Sequence, residues 1–509
     1  MPHLRSLMFV STIGLALLAS QAIAQSLPST WGPQGPPYVP GRPIAIVGGA
    51  LIDAVSGDVK TGYTVLIEGN VISQVAPGEN VKVPKNAEII DAQGMTVMPG
   101  LINANGHINN PPLSVAPATD MTLAEMKARW DAVAEAAPRT AYVSLMQGVT
   151  SIRNTGGSLQ GVIPLKKKID AGEAAGPRLF LAGGHFMSPQ FFEHMIERDR
   201  TPPELVDYVR NEFKFYVLDD LDETLDRALA KDYTYVKLVL SDQQFDGTND
   251  FTDEQLKKII SKAKARGKKV DIHANDTNHG YARLLKFDFD TLEHPFSSKV
   301  LLDHDTIAGF AKKGIIVATL YIVRATAANH AEDPNLFNET KYIMSMLPED
   351  YRLLMSYRDK MLYNKRNPTL SGLPIYARNT SVSDAFGQDG PSYERTLQYR
   401  ETSRENMRHF IRAGVKLAMG TDGTTFLNFQ QDDAEATEMR TMVELGMSPM
   451  EAIVSSTRNG AEALGMLDKL GTIEAGKLAD VIVVAGDPLK DMNAMKRVAY
   501  VVKGGVRFK

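Results

Sequence analysis

The pattern of apolar and polar positions changes character twice along the chain. From Ile44 to Val97 it runs in short alternating stretches broken by turn residues, and Thr64 to Glu68, Gly69-Asn70 and Val71-Ile72 predict a β-hairpin. The C-terminal end has the same texture, with a strand at Asp480 to Val484 and a hairpin from Tyr500 to Arg507. Between these ends, apolar runs of strand length recur at 101–104, 149–153, 178–183, 234–240, 269–273, 290–293, 315–319 and 415–420. Helical periodicity separates most of them, as at Asp253 to Arg266 and Glu405 to Ala413. Strands alternating with helices predict an α/β chain built as a (β/α)8, TIM-like barrel. The two β-rich ends are expected to pair into one small β-sandwich domain.

These expectations divide the chain. Residues 44–98 and 469–509 form the two parts of the β-sandwich domain, and residues 99–468 form the barrel. The barrel carries one long interruption, residues 321–404, whose aromatic and charged residues (Tyr342, Tyr351, Tyr357, Tyr363 and Tyr376 among them) predict an ordered lid. Ser448-Pro449-Met450-Glu451 predicts a helix start, with serine as cap, proline at the first position and glutamate at the third. Ahead of all this, Arg5, the apolar run Leu7 to Leu18 and the small residues Ala22-Ile23-Ala24 read as a signal peptide over 1–24. A Pro- and Gly-rich lead-in, 25–43, follows. The protein is thus expected in an exported compartment, periplasmic or secreted, with no stable membrane anchor after cleavage.

Composition narrows the chemistry. A net charge of −4 over 509 residues, with both signs interspersed, predicts no nucleic-acid partner. The chain has no cysteine, which removes disulfides, thiolate metal sites and cysteine nucleophiles together. Gly48-Gly49 and Gly156-Gly157 lack the spacing of a phosphate cradle. A metal, if present, rests on His, Asp, Glu or a modified lysine.

Five polar residues stand at or near the ends of predicted strands: His107, Lys237, His273, His294 and Asp422. In a barrel, the C-terminal strand ends converge on one mouth. Imidazole and carboxylate are natural ligands for zinc and manganese. Lys237 interrupts the apolar strand Tyr235 to Leu240, and a buried ammonium must be paired, deprotonated or modified. A carbamate formed with carbon dioxide would make it an anionic ligand; a salt bridge inside the barrel is the alternative.

The joint pattern resembles the amidohydrolase superfamily, in particular its imidazolonepropionase-like branch with prolidase and carbamate- or urea-hydrolase relatives. Pro99 to Ile102, Gly148 to Arg153, Gly176 to Leu179, Ile473 to Asp480 and Gly486 to Leu489 carry the likeness over nearly the whole chain. The resemblance implies a metal-dependent hydrolase cleaving a C–N bond in an amide, peptide, carbamate or urea. It implies one or two divalent metal ions, zinc first, with manganese, cobalt or iron also suited. Lys237 would be the carboxylated bridging lysine, His273 and His294 ligands of one metal, and His107 and Asp422 ligands of the other. Asp422 would also shuttle the proton from water to the leaving nitrogen.

Three residues depart from the family pattern. Asn105 stands where a histidine is expected, and Asn103 and Asn154 stand where aspartates are usual. Asn105 leaves three readings: a weakened first metal position, coordination through its carboxamide oxygen, or a descendant that binds without turnover. Asn105-Gly106 also reads as a tight turn. His185, Tyr321 and Arg324 are candidate contacts for a small amide-like substrate. A prolidase-like dipeptidase and a lactone or ester hydrolase are the runner-up activities; an exported binding protein is the non-catalytic one. Self-association, common in relatives, is left open because no heptad or repeat demands it.

Overall fold

Strand after strand forms where the apolar runs lie. The computed structural model describes residues 42–108, 122–156, 159–182, 184–198, 203–208, 210, 215–240, 251–274, 278–297, 300–322, 393–422 and 434–509. The signal peptide, Arg324 and most of the insertion, including the five tyrosines named above, lie outside these residues.

The N-terminal part contributes β1 (Ile44–Val47), β2 (Ala50–Ile52), β3 (Val59–Lys60), β4 (Tyr63–Glu68), β5 (Val71–Pro77), β6 (Glu88–Asp91) and β7 (Thr96–Pro99). The middle contributes β8 (Leu101–Gly106), β9 (Val149–Asn154), β10 (Arg178–Leu181), β11 (His185–Met187), β12 (Phe215–Val217), β13 (Tyr235–Leu240), β14 (Lys269–Ala274), β15 (Thr291–Glu293), β16 (Ile316–Ala318) and β17 (Leu417–Ala418). The C-terminal part adds β18 (Val481–Val484), β19 (Val498–Lys503) and β20 (Val506–Arg507).

The chain ends do pair. One terminal sheet runs β5-β4-β1-β6, and the other runs β20-β19-β18-β7-β2-β3. In the second, β7 is hydrogen-bonded antiparallel to β18, Met98 opposite Ile482. Ile46, Val65 and Ile90 of the first sheet share one apolar cluster with Val97, Val481, Val483 and Val502 of the second. Alternation along each strand supplies this shared face.

The middle strands are parallel throughout, in a three-stranded sheet β10-β9-β8 and a seven-stranded sheet β12-β11-β13-β14-β15-β16-β17. Backbone hydrogen bonds link the two sheets. Ala104 N donates to Met419 O at 2.8 Å, and Thr234 N donates to Leu181 O at 3.0 Å, on the way into β13. Helices cover these strands. In Asp253–Ala265, Leu256, Ile259, Ile260 and Ala263 are buried at helical spacing; each larger one stabilises the fold by ~1.5–3 kcal/mol. Thr252 and Gln255 close a capping box at its start. The predicted start at Ser448 is also a full capping box, with Pro449 leading the helix. Among the described residues, no helix is long and apolar enough to cross a membrane.

Candidate metal centre

The site begins with irregular strand ends. Among the described residues, three that are not glycine have positive φ: His294 at 67°, Leu320 at 46° and Asp422 at 51°. Each directly follows or lies just beyond β15, β16 or β17. Side chains normally avoid this region, and strain of this kind concentrates at functional sites. Its effect at His294 is direct. Successive residues in a strand point to opposite faces, yet the turn lets Glu293 and His294 converge. Their ligand atoms and one of His273, from β14, all lie within 4.8 Å of one another.

The rings of His273 and His294 are 4.0 Å apart, centroid to centroid. Burial, then the neighbouring His294 and Lys237, push the His273 pKa well below its ordinary value. The ring is therefore neutral, with a free lone pair, which is the form a ligand needs. Two imidazoles and a carboxylate fit a divalent metal in donor type and convergence.

Lys237, on β13, is 1% exposed. Its ammonium is ion-paired with Glu293 in the unmodified chain. Behind that pair lies Arg153, also 1% exposed. Its guanidinium donates to Asp271 Oδ1 at 2.8 Å, to Glu293 Oε1 at 3.2 Å, to Thr291 Oγ1 at 3.1 Å and to Ala104 O at 2.5 Å. Burial lifts the Asp271 carboxyl to about 6 despite Arg153.

The other half of the site is built on β8, β9 and the end of β17. Strand β8 carries a bulge, four residues from Asn103 to Gly106 opposite three from Ile152 to Asn154. Bulges re-aim side chains beside functional sites. His107 Nδ1 donates to Gly156 O at 3.2 Å, and its Nε2 lies 2.9 Å from Asp422 Oδ1. Burial would raise the Asp422 carboxyl, but the hydrogen bond from His107 and the fields of His294 and Lys237 hold it at about 2. His294 acts electrostatically on the Asp422 carboxyl, and His107 and His185 act on the His273 ring, so the two halves lie within electrostatic reach of each other.

The Thr155 hydroxyl joins the pieces. It donates to Asn105 Oδ1 at 2.6 Å and lies 3.1 Å from His107 Nε2. Its carbonyl meets His185 Nε2 at 3.0 Å. The His185 ring stands edge-on to His107 with centroids 6.4 Å apart. Gly156 keeps that contact open, since an added Cβ would come within 2.1 Å of His185 Nε2.

Two of the three departures have a hydrogen-bonding reason. Asn103 Nδ2 donates to Thr421 Oγ1 at 2.8 Å and to Glu435 Oε1 at 2.9 Å, while its oxygen accepts from Asn105 N at 3.1 Å. Asn154 accepts from Ile108 N at 2.9 Å and donates to Gly156 O at 2.8 Å. Each needs a donor and an acceptor, and a carboxylate supplies only acceptors.

Tyr321 is buried, packs in the main apolar cluster and has Arg404 Nη1 3.4 Å from its hydroxyl. Its backbone is held by Glu438, whose two oxygens accept from Tyr321 N at 2.9 Å and Ile322 N at 2.8 Å. Sequence reasoning did not single out Glu293, Thr155, Glu435 or Glu438. Glu293 carried a signal, since it directly precedes His294 at a strand end.

A family model described as "Amidohydrolase family" matches residues 96–507. An imidazolonepropionase of Mesorhizobium japonicum is 39% identical over 87 residues, 16% of this chain and 20% of that protein. A 5-methylthioadenosine/S-adenosylhomocysteine deaminase of Moorella thermoacetica is 36% identical over 85 residues, 15% of this chain. The match thus takes in about a fifth of the curated relatives' length, 20% in both cases. Solved structures resemble the chain along most of its length. A Xaa-Pro dipeptidase has a TM-score of 0.64 at 24% identity, covering 91% of this chain and 99% of its own.

Proposed function

The chain belongs to the amidohydrolase family, and on that premise we propose that it is a metal-dependent enzyme hydrolysing a C–N bond in a small amide-like substrate: an amide, peptide, carbamate or urea. The observation that carries this reading is the convergence of His273, Glu293 and His294 within 4.8 Å, with the ionised Asp422 on the same mouth. We read the two parallel sheets as one closed (β/α)8 barrel, supported by the hydrogen bonds between them. We read the terminal sheets as a β-sandwich, supported by their common apolar cluster. Export after cleavage at Ala24 completes the proposal, and it fits scavenging of peptides or foreign amides.

His273 and His294 would hold the metal, with a carboxylate from Glu293 or from a carbamate on Lys237. His107 and Asp422 are the donors available for a second ion. A divalent ion here, zinc by donor type or else manganese, cobalt or iron, supplies Lewis acidity that acidifies water and polarises a carbonyl. Asp422 is ionised at neutral pH and takes the proton that water gives up. It then returns that proton to the departing nitrogen. His107, tied to Gly156 O by Nδ1, fixes the angle of the carboxylate. Arg153, Asp271 and Glu293 form the charged floor that keeps Lys237 in place.

The test is a panel of N-acyl amides, Xaa-Pro dipeptides, carbamates, phenylureas, lactones and esters, assayed with the full chain before and after chelation. Turnover of a C–N substrate should vanish on chelation and return with metal. The Asp422→Asn variant should lose at least about 10²-fold in kcat. A metal-replete protein without turnover on any member overturns the hydrolase reading. Turnover of esters alone moves it to the neighbouring class.

A further inference from the structure

Asn105 differs from the other two asparagines of the mouth. Its side chain is fully buried, yet Nδ2 has no hydrogen-bond partner among the described residues. Its other end is committed. At 2.6 Å, the contact with Thr155 Oγ1 has the length of an O–H···O bond and is short for N–H···O. Oδ1 therefore faces Thr155, and Nδ2 faces away. Thr155 also meets His107 Nε2, which is bonded to Asp422. The backbone oxygen of Asn105 accepts from Asp422 N at 2.9 Å. The unused donor thus stands among the groups that would handle the proton.

An amide nitrogen has no lone pair to give a metal, and the oxygen is turned to Thr155, from which it accepts. What Nδ2 can do is donate. We propose that Asn105 is a catalytic hydrogen-bond donor to the carbonyl oxygen of the scissile amide, with Thr155 as the positioning residue that aims it. The inference rests on the hydrolase reading above. Water adds to the carbonyl carbon and passes one proton to Asp422. The carbonyl oxygen becomes an oxyanion and receives the Nδ2 hydrogen bond. Collapse breaks the C–N bond, and nitrogen leaves with the proton from Asp422, giving a carboxylic acid and an amine. A preformed donor aimed at developing charge belongs among the larger contributions to rate. It also gives a buried, otherwise costly amide its partner at the moment of reaction.

The experiment measures steady-state kinetics on the panel substrate that wild type turns over best. It also measures metal per chain by elemental analysis, and affinity for the methylphosphonamidate analogue of that substrate. Asn105→Ala should lower kcat by roughly 10²–10³-fold and weaken the analogue in parallel, with metal content unchanged. Asn105→Asp keeps the shape and the contact with Thr155 but removes the donor, so it should fall as far. Thr155→Val should lower kcat by about tenfold with little change in KM. Metal lost in step with activity in Asn105→Ala, or metal gained with full turnover in Asn105→Asp, overturns the donor role in favour of a ligand. A kcat within about threefold of wild type in both Asn105 variants overturns it outright. Wild type inert on the whole panel defeats the hydrolase reading instead, which separates the two failures.

Discussion

Replacing Glu438 by glutamine tests how the irregular end of β16 is held. The carboxylate is fully buried and accepts from the backbone N–H groups of Tyr321 and Ile322, directly after Leu320 with its positive φ. Burial is the main cause that lifts its pKa from 4.5 to about 7; Thr319 and the two N–H groups pull it down, and the field of Glu435 adds to the rise. The folded protein therefore holds a proton that the unfolded chain releases as pH passes 4.5. Across that window, stability falls by ~1.4 kcal/mol per pH unit and levels off above 7, a loss of ~3 kcal/mol in all. In Glu438→Gln the slope disappears, because the amide does not titrate. The amide has one acceptor for two N–H groups, which costs about 1–3 kcal/mol at every pH. The variant should thus be less stable than wild type at pH 5 and equal or more stable at pH 8. Urea denaturation of the metal-free full chain at pH 5, 6, 7 and 8 measures the difference. A stability gap that stays constant across that range, or widens towards pH 8, refutes the account.

Two further outcomes follow from neighbouring features. Arg153→Met leaves Asp271 and Glu293 buried without their shared cation, so unfolding should cost about 3–5 kcal/mol less; a urea midpoint close to that of wild type would mean the floor is not held by charge. Gly156→Ala would push a Cβ against His185 Nε2. A substrate role for His185 predicts KM up by about tenfold with metal content kept, and unchanged kinetics would end that role.

Much of the scaffold was legible because it follows backbone rules. The eight strands expected in the middle of the chain coincide with β8, β9, β10 and β13 to β17. The Gly69-Asn70 turn joins β4 to β5, and Ser448 caps its helix as the capping pattern requires. The helix expected at Glu405 starts earlier, since Tyr393–Arg412 is continuous. Strands β11 and β12 had no signal, being three residues each and set by pairing, β11 with β13 and β12 with β11, rather than by their own period. His107, His273, His294 and Asp422 could be found because histidine and aspartate at strand ends are unusual enough to notice. Glu438 and Thr155 could not. Each acts through a partner distant in sequence, 117 positions away in the contact of Glu438 with Tyr321 and 50 in that of Thr155 with Asn105. Asn103 looked like a lost aspartate until Glu435 showed what its amide donates to.

The pairing of β7 with β18 bears on the order of synthesis. Thr96 Oγ1 donates to Gly486 O, 390 positions further along the chain. All the parallel strands between these points can emerge from the ribosome and associate while β7 still lacks β18. Loop-closure entropy rises only logarithmically with that separation, so the delay matters more than the thermodynamic cost. Until β18 and β19 arrive, the apolar face formed by Ile46, Val65 and Val97 lacks the cover of Val481, Val483 and Val502. A truncated translation product would display that face, a recognisable surface for chaperones and proteases. That apolar face is therefore completed only when the chain has run through to β19.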